Sequence, residues 1–371
     1  MDGQVRSWSQ QLFVAFADEA VRKLPLYRRL CEGAADDREV ADRLLIARPG
    51  QQIPNLLLAA VHDVLLTGEP SPLADWYGSI APHPRAVGLG EDDPWPLFRD
   101  LALDHAGVDE RLRTRATQTN EVGRCAALLP ALAGVAASAP GARPHEARPL
   151  GLVEIGASAG LNLLVDRYGY RYEPDGPEIN PSSPLTLHST LRGDHRPPLP
   201  IEVPHVESRV GLDLHPLDVS DPAQARWLVA CQWPDQPDRI HRARTAIALA
   251  HTERPELVTG DAVADVGDLV VRVAQFALPV VVSTWVLSYL DEAGRRALVA
   301  ELDRLGTIRD LSLVFAEQPI LVAGLPIPPR PDGRPDGPET ALVRVDWRSG
   351  ERTEQRLADM HPHGTWIEWL A

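Results

Sequence analysis

Two hydrophobic patterns divide this chain. Over the first 135 or so residues, apolar positions recur at helical spacing and predict helices over 10–19, 37–45, 55–66, 96–105 and 110–137. Prolines at positions 25, 49, 70, 72, 82 and 84 punctuate these segments, and the proline-rich stretch 138–149 reads as a linker. Beyond it the pattern changes to short, continuously apolar runs that end in polar residues: 151–155, 209–213, 257–261, 279–283 and 311–317. Runs of that kind suit strands buried on both faces of a parallel sheet. Residues 295–305 form an amphipathic helix with Leu298, Leu302 and Leu305 on one face. Near the carboxyl end, 340–347 and 352–357 predict a hairpin and 364–370 a last strand. The pattern therefore predicts an α/β protein: a helical domain over 1–148, and a sheet domain over 149–371 with a proline-rich insertion at about 169–205.

The first strand ends in Glu154-Ile-Gly156-Ala157-Ser158-Ala-Gly160-Leu-Asn162, a glycine-rich turn expected to open a helix at Leu161. Glycines there let a ligand approach the backbone, and the amides of a helix start offer donors. A dinucleotide fingerprint would put glycine at 158 and 161, where Ser158 and Leu161 stand. Gly156-Ala-Ser158-Ala-Gly160 fits the G-x-S-x-G elbow of serine hydrolases, with His361 or His363 as a later histidine, but no HGGG-like segment precedes it. The stretch also resembles the first motif of S-adenosylmethionine-dependent, Rossmann-like methyltransferases, with Ser158 in place of the middle glycine.

That resemblance extends to later strand ends. It implies a Rossmann-like sheet, mostly parallel with antiparallel strands at the carboxyl end, beside an all-helical amino-terminal domain, and S-adenosylmethionine as cofactor. Glu154, Gly156, Ala157, Ser158, Gly160 and Asn162 would surround the cofactor's amino end. Asp213 would hold its ribose, and Asp261 with Ala262 would meet the adenine. Ser283, Thr284 and Trp285 would follow the fourth strand, with no Asn/Asp-Pro-Pro-Tyr there to signal amide or base-nitrogen methylation. Asp213 lies much further from the glycine turn than the usual interval of about 20 residues. No general base is assigned; His215, Tyr289 and Glu121 lie near strand ends.

In the helical region, Asn120, Glu121 and Arg124 would share one helix face, as an ion pair or as a substrate-binding face closing over the site. A formal charge of −15 argues against phosphate-backbone binding as the main activity. Three scattered cysteines, without C-x-x-C spacing, suggest neither a disulfide framework nor a thiolate metal site and fit a reducing cytosol. No apolar run reaches membrane-spanning length. Segments 118–124, 152–168, 233–237, 283–288 and 361–364 resemble the bacterial domain-of-unknown-function family numbered 2332 over nearly the whole length, a resemblance that names no reaction. The expectation is a cytoplasmic methyltransferase acting on a small molecule, with its assembly state left open. A non-catalytic ligand- or partner-binding protein is the alternative, and a serine hydrolase using Ser158 the third.

Overall fold

The computed structural model describes residues 6–139 and 148–371. Most of the expected linker, 140–147, lies outside the described residues. The helices are α1 (Trp8–Asp18), α2 (Pro25–Asp36), α3 (Arg38–Ala41), α4 (Pro54–Leu66), α5 (Trp95–Asp104), α6 (Ala106–Thr114), α7 (Cys125–Ser138), α8 (Pro222–Ala230), α9 (Pro237–Glu253), α10 (Val266–Val273) and α11 (Glu292–Gly306). The strands are β1 (Leu150–Ile155), β2 (Gly169–Glu173), β3 (Glu178–Ile179), β4 (Thr186–Arg192), β5 (Val206–Asp213), β6 (Glu256–Thr259), β7 (Leu278–Thr284), β8 (Leu311–Glu317), β9 (Thr340–Arg348), β10 (Glu351–Met360) and β11 (Trp366–Trp369).

The chain forms two compact units, Met1–Thr119 with Ser220–Arg244 and Asn120–Val219 with Thr245–Ala371. This division differs from a single boundary at 148/149. The reason is visible in α7, whose residues from Cys125 to Leu132 are all buried. A helix apolar on every side needs a core around it, and α7 packs on β4 and β8.

The first unit is helical. Ser7 opens α1 with a capping box to Gln10. Pro25 begins α2, a helix the sequence reading passes over because it takes that proline as a break; at the first position of a helix its missing N–H costs nothing. The helix expected over 37–45 is a short α3 followed by a 3-10 turn at Asp42–Ile46. The chain re-enters this unit at α8, where Trp227 Nε1 donates to Ala116 O at 2.8 Å. Asp235 accepts the Leu26 and Tyr27 amides at 3.1 and 3.2 Å and so caps α2.

The second unit is built on one sheet in the order β3-β2-β4-β11-β10-β9-β8-β7-β1-β5-β6. Its pairings are parallel from β6 through β5, β1 and β7 to β8, and again for β11–β4 and β4–β2. Those at β8–β9, β9–β10, β10–β11 and β2–β3 are antiparallel. The protein is thus α/β, with a mostly parallel mixed sheet and helices in the amino-terminal region. The proline-rich insertion contains β2, β3 and β4, which extend the sheet beyond β11. One face carries a core of Val153, Ile155, Val281, Leu313 and Phe315 against Val270, Leu298 and Leu302 of α10 and α11.

The strand order reverses between β1 and β7, the position at whose carboxyl ends doubly wound sheets place their ligands. No α-helix starts at Leu161. The turn leads instead into a single 3-10 turn, Leu161–Leu164. The chain must reverse into β2 at Gly169, and Tyr168 Oη takes the Leu161 carbonyl at 2.6 Å while Tyr170 Oη takes that of Val165, so carbonyls that a longer helix would bond internally are satisfied by tyrosines.

Candidate functional site

The carboxyl ends of β1, β5, β7, β8 and β10 share one edge, because β10 runs parallel to β8 through β9. Glu154 points from the end of β1 into this region and is 2 % exposed. Asn162 Nδ2 donates to its Oε1 at 3.0 Å, and Oε2 has no hydrogen-bond partner. Burial, reinforced by Asp213, raises its carboxyl to about 8 against the opposing Asn162 bond and Arg124 charge.

The glycine turn is tightly bound by its own chain. Gly156, at φ +68°, allows Val286 to sit above it: a Cβ there would lie 2.3 Å from Val286 Cγ2. The Gly156 and Ala157 amides donate to Leu212 O, and that of Gly160 to Ala157 O. The Ser158 amide goes to Asp213 Oδ2 at 2.8 Å, and that of Leu161 to Asn120 Oδ1 at 2.9 Å. These amides are therefore spent within the chain, and the expected open donor cradle is not formed. Ser158 stands at φ +53° with a buried Oγ that has no partner. A nucleophile elbow would instead expose that oxygen toward a base.

Asp213 is half-buried. Its Oδ1 accepts the His215 amide at 2.8 Å, so each carboxylate oxygen carries one amide and keeps a second acceptor position. Asp261 is exposed and turned back on its own loop, accepting the Val263 and Ala264 amides at 2.8 and 2.9 Å; Ala262 lies between them, partly buried. Ser283 and Thr284 lie within the end of β7 and not after it, Ser283 with a buried Oγ that has no partner; just beyond, Trp285, at φ +57°, ties Nε1 to Thr340 Oγ1 at 3.0 Å.

Asn120, Glu121 and Arg124 do not lie along one helix face. α6 ends at Thr114, Glu121 caps a 3-10 turn at Val122–Arg124, and α7 starts at Cys125. All three side chains are buried and brace the edge of the second unit. Asn120 Nδ2 holds Ala157 O at 3.3 Å as its Oδ1 takes the Leu161 amide. Arg124 donates from Nε to Pro362 O at 2.9 Å and from Nη1 to Thr284 O at 3.0 Å. Asn120, Arg124, Glu154, Ser158, Asn162, Asp213 and Thr284 are thus gathered at the strand ends, and Asp261 is not shown to join them.

One acid was missed. Glu317, the last residue of β8, is fully buried; its Oε1 accepts the Val286 and Leu287 amides, both at 2.8 Å, and its Oε2 has no partner. Burial raises its carboxyl to about 7. The signal was present, since an acid closes this apolar run as Glu154 nearly closes that of β1. Among the described residues no cluster of His, Cys, Asp and Glu could hold a metal ion, and no helix is long and apolar enough to cross a membrane.

An α/β protein with buried, half-satisfied acids at its strand ends is the class these features define. The chain belongs to the family described as "Uncharacterized protein conserved in bacteria (DUF2332)", whose model matches residues 10–369. No curated protein and no solved structure matches it.

Proposed function

We propose that the second unit binds S-adenosylmethionine at the carboxyl ends of β1, β5 and β7, and that the protein transfers its methyl group to a small-molecule acceptor. The observation that carries this reading is the buried Glu154 carboxyl with one unpartnered oxygen at the point where strand order reverses. Numbered by entry into the parallel block, β6-β5-β1-β7-β8 reads 3-2-1-4-5, the order of a doubly wound nucleotide-binding sheet. The spent turn amides discriminate between ligands. A dinucleotide needs them for its pyrophosphate, whereas S-adenosylmethionine has no phosphate and carries an ammonium and a sulfonium. The donor set fits that group: Glu154 would accept the ammonium, and Asp213, one strand away and half-buried, would accept ribose hydroxyls. When bound, the cofactor supplies an already activated methyl group. The protein's share is alignment and exclusion of water.

Isothermal calorimetry tests the reading. Because Glu154 holds its proton below about 8, ammonium binding releases a proton, and affinity rises roughly tenfold per pH unit up to that value. Titrations in two buffers of different ionisation enthalpy should reveal the released proton, and Glu154→Gln should weaken binding at least tenfold. Folded protein that binds neither S-adenosylmethionine nor S-adenosylhomocysteine sinks the proposal. Binding without transfer to any acceptor leaves a ligand-binding module.

A further inference from the structure

A second ionisable pair stands at the same edge, on the turns before α7 and after β10. Glu121 accepts the Gly123 amide on Oε1 at 3.0 Å, and its Oε2 lies 3.7 Å from His363 Nδ1. The glutamate side chain is 3 % exposed and the imidazole 28 %. Their apposition is fixed by two glycines. A Cβ on Gly364, at φ +73°, would lie 2.0 Å from Gly123 O, and one on Gly123 would lie 2.4 Å from His363 O. The His363 amide donates to His361 Nδ1 at 3.1 Å, which braces the turn. Arg124 then links it to the site, one guanidinium bonding both Pro362 O and Thr284 O. Glu121, Arg124 and His361 are among the charged and titratable groups around His363.

A buried carboxylate behind a partly exposed imidazole is the arrangement of an oriented general base. We propose that His363, with the Glu121 carboxylate at ion-pair distance from its Nδ1 but beyond hydrogen-bond reach, takes the proton from the acceptor's nucleophile, and that the acceptor is a small hydroxyl compound. This rests on the cofactor reading above. As the hydroxyl oxygen bonds the methyl carbon, the C–S bond breaks with its electron pair left on sulfur, and the hydroxyl proton passes to His363 Nε2 and then to solvent. Glu121, itself a candidate base on sequence grounds, acts one step back as a positioning residue.

Wild type, Glu121→Gln and His363→Asn decide the matter together. In NMR spectra of isotope-labelled histidines, the signal absent from His363→Asn identifies His363, and its titration midpoint should fall by about one unit in Glu121→Gln; an unmoved midpoint overturns the pairing. With methyl-labelled S-adenosylmethionine and pooled small hydroxyl compounds, His363→Asn should transfer label roughly 100-fold more slowly at neutral pH while binding S-adenosylhomocysteine as tightly as wild type. Equal rates, or no transfer by wild type, overturn the proposal. Failure of wild type to bind S-adenosylhomocysteine is a separate calorimetric result and removes the cofactor reading itself.

Discussion

Within the second unit, the ion cluster on β10 and the acids at the strand ends are buried to similar depth and built on opposite principles. Asp359, 1 % exposed, meets both Arg330 and Arg356, and these arginines reach on to Asp332 and Asp336 at 2.8 and 2.6 Å. Toward the turn end of the same β9–β10 hairpin, Asp346 accepts from Ser312 Oγ at 2.6 Å and Arg348 Nη2 at 3.1 Å. Each of these carboxylates has a guanidinium against it. Glu154 and Glu317 each have hydrogen bonds to one oxygen and none to the other. A buried charge with its counter-charge holds a fold together, while one half-answered costs stability until something meets it. The difference separates scaffold from site without reference to any ligand.

Breaking the scaffold should have the largest effect. Asp359→Ala leaves two buried arginines facing a lost partner and should cost about 3–5 kcal/mol in chemical unfolding; a loss under about 1 kcal/mol would place the cluster with ordinary surface pairs. The site acids should respond in the opposite direction. Because burial raises Glu154 from 4.5 to about 8, the unfolded state binds fewer protons than the native state between those values, so wild-type stability falls as pH rises through that window. Glu154→Gln should remove that slope and be more stable than wild type at the upper end by a few kcal/mol. Glu317→Gln should do the same over a narrower window ending at about 7. Unfolding midpoints measured across the range check both, and a parallel pH dependence in variant and wild type would contradict them. The smallest effect belongs to Ser158→Ala, which deletes an unpartnered buried hydroxyl and should shift stability by less than about 1 kcal/mol. A large loss would mean that the hydroxyl has an important partner.

The parallel strands were legible because burial on both faces demands unbroken apolar runs, and Glu154 was legible because an acid interrupts one. The insertion was legible as a proline-rich segment, but the strands β2, β3 and β4 inside it were not. In β4 the inward positions are Leu187, Ser189 and Leu191, a weak alternation hidden between prolines. Helical spacing put Asn120 and Arg124 on one face, but local sequence carries no trace of Gly364 arriving from the far end of the chain to press against Gly123. Glu317 reads as nothing more than a strand end until the amides of 286 and 287 are seen to converge on it.

The first unit borrows Ser220–Arg244 from beyond β5, so no single cut separates the two units. During synthesis the helices α1 to α6 leave the ribosome long before α8, whose Trp227 completes their core, and must wait while β1 to β5 are made. An expressed fragment ending at residue 148 would lack α8, and one beginning at 149 would lack α7. Any dissection of this protein has to keep the excursion with its host, by fusing 220–244 back to the helices and closing the segment after β5 onto the remainder of α9 from Thr245 with a short loop.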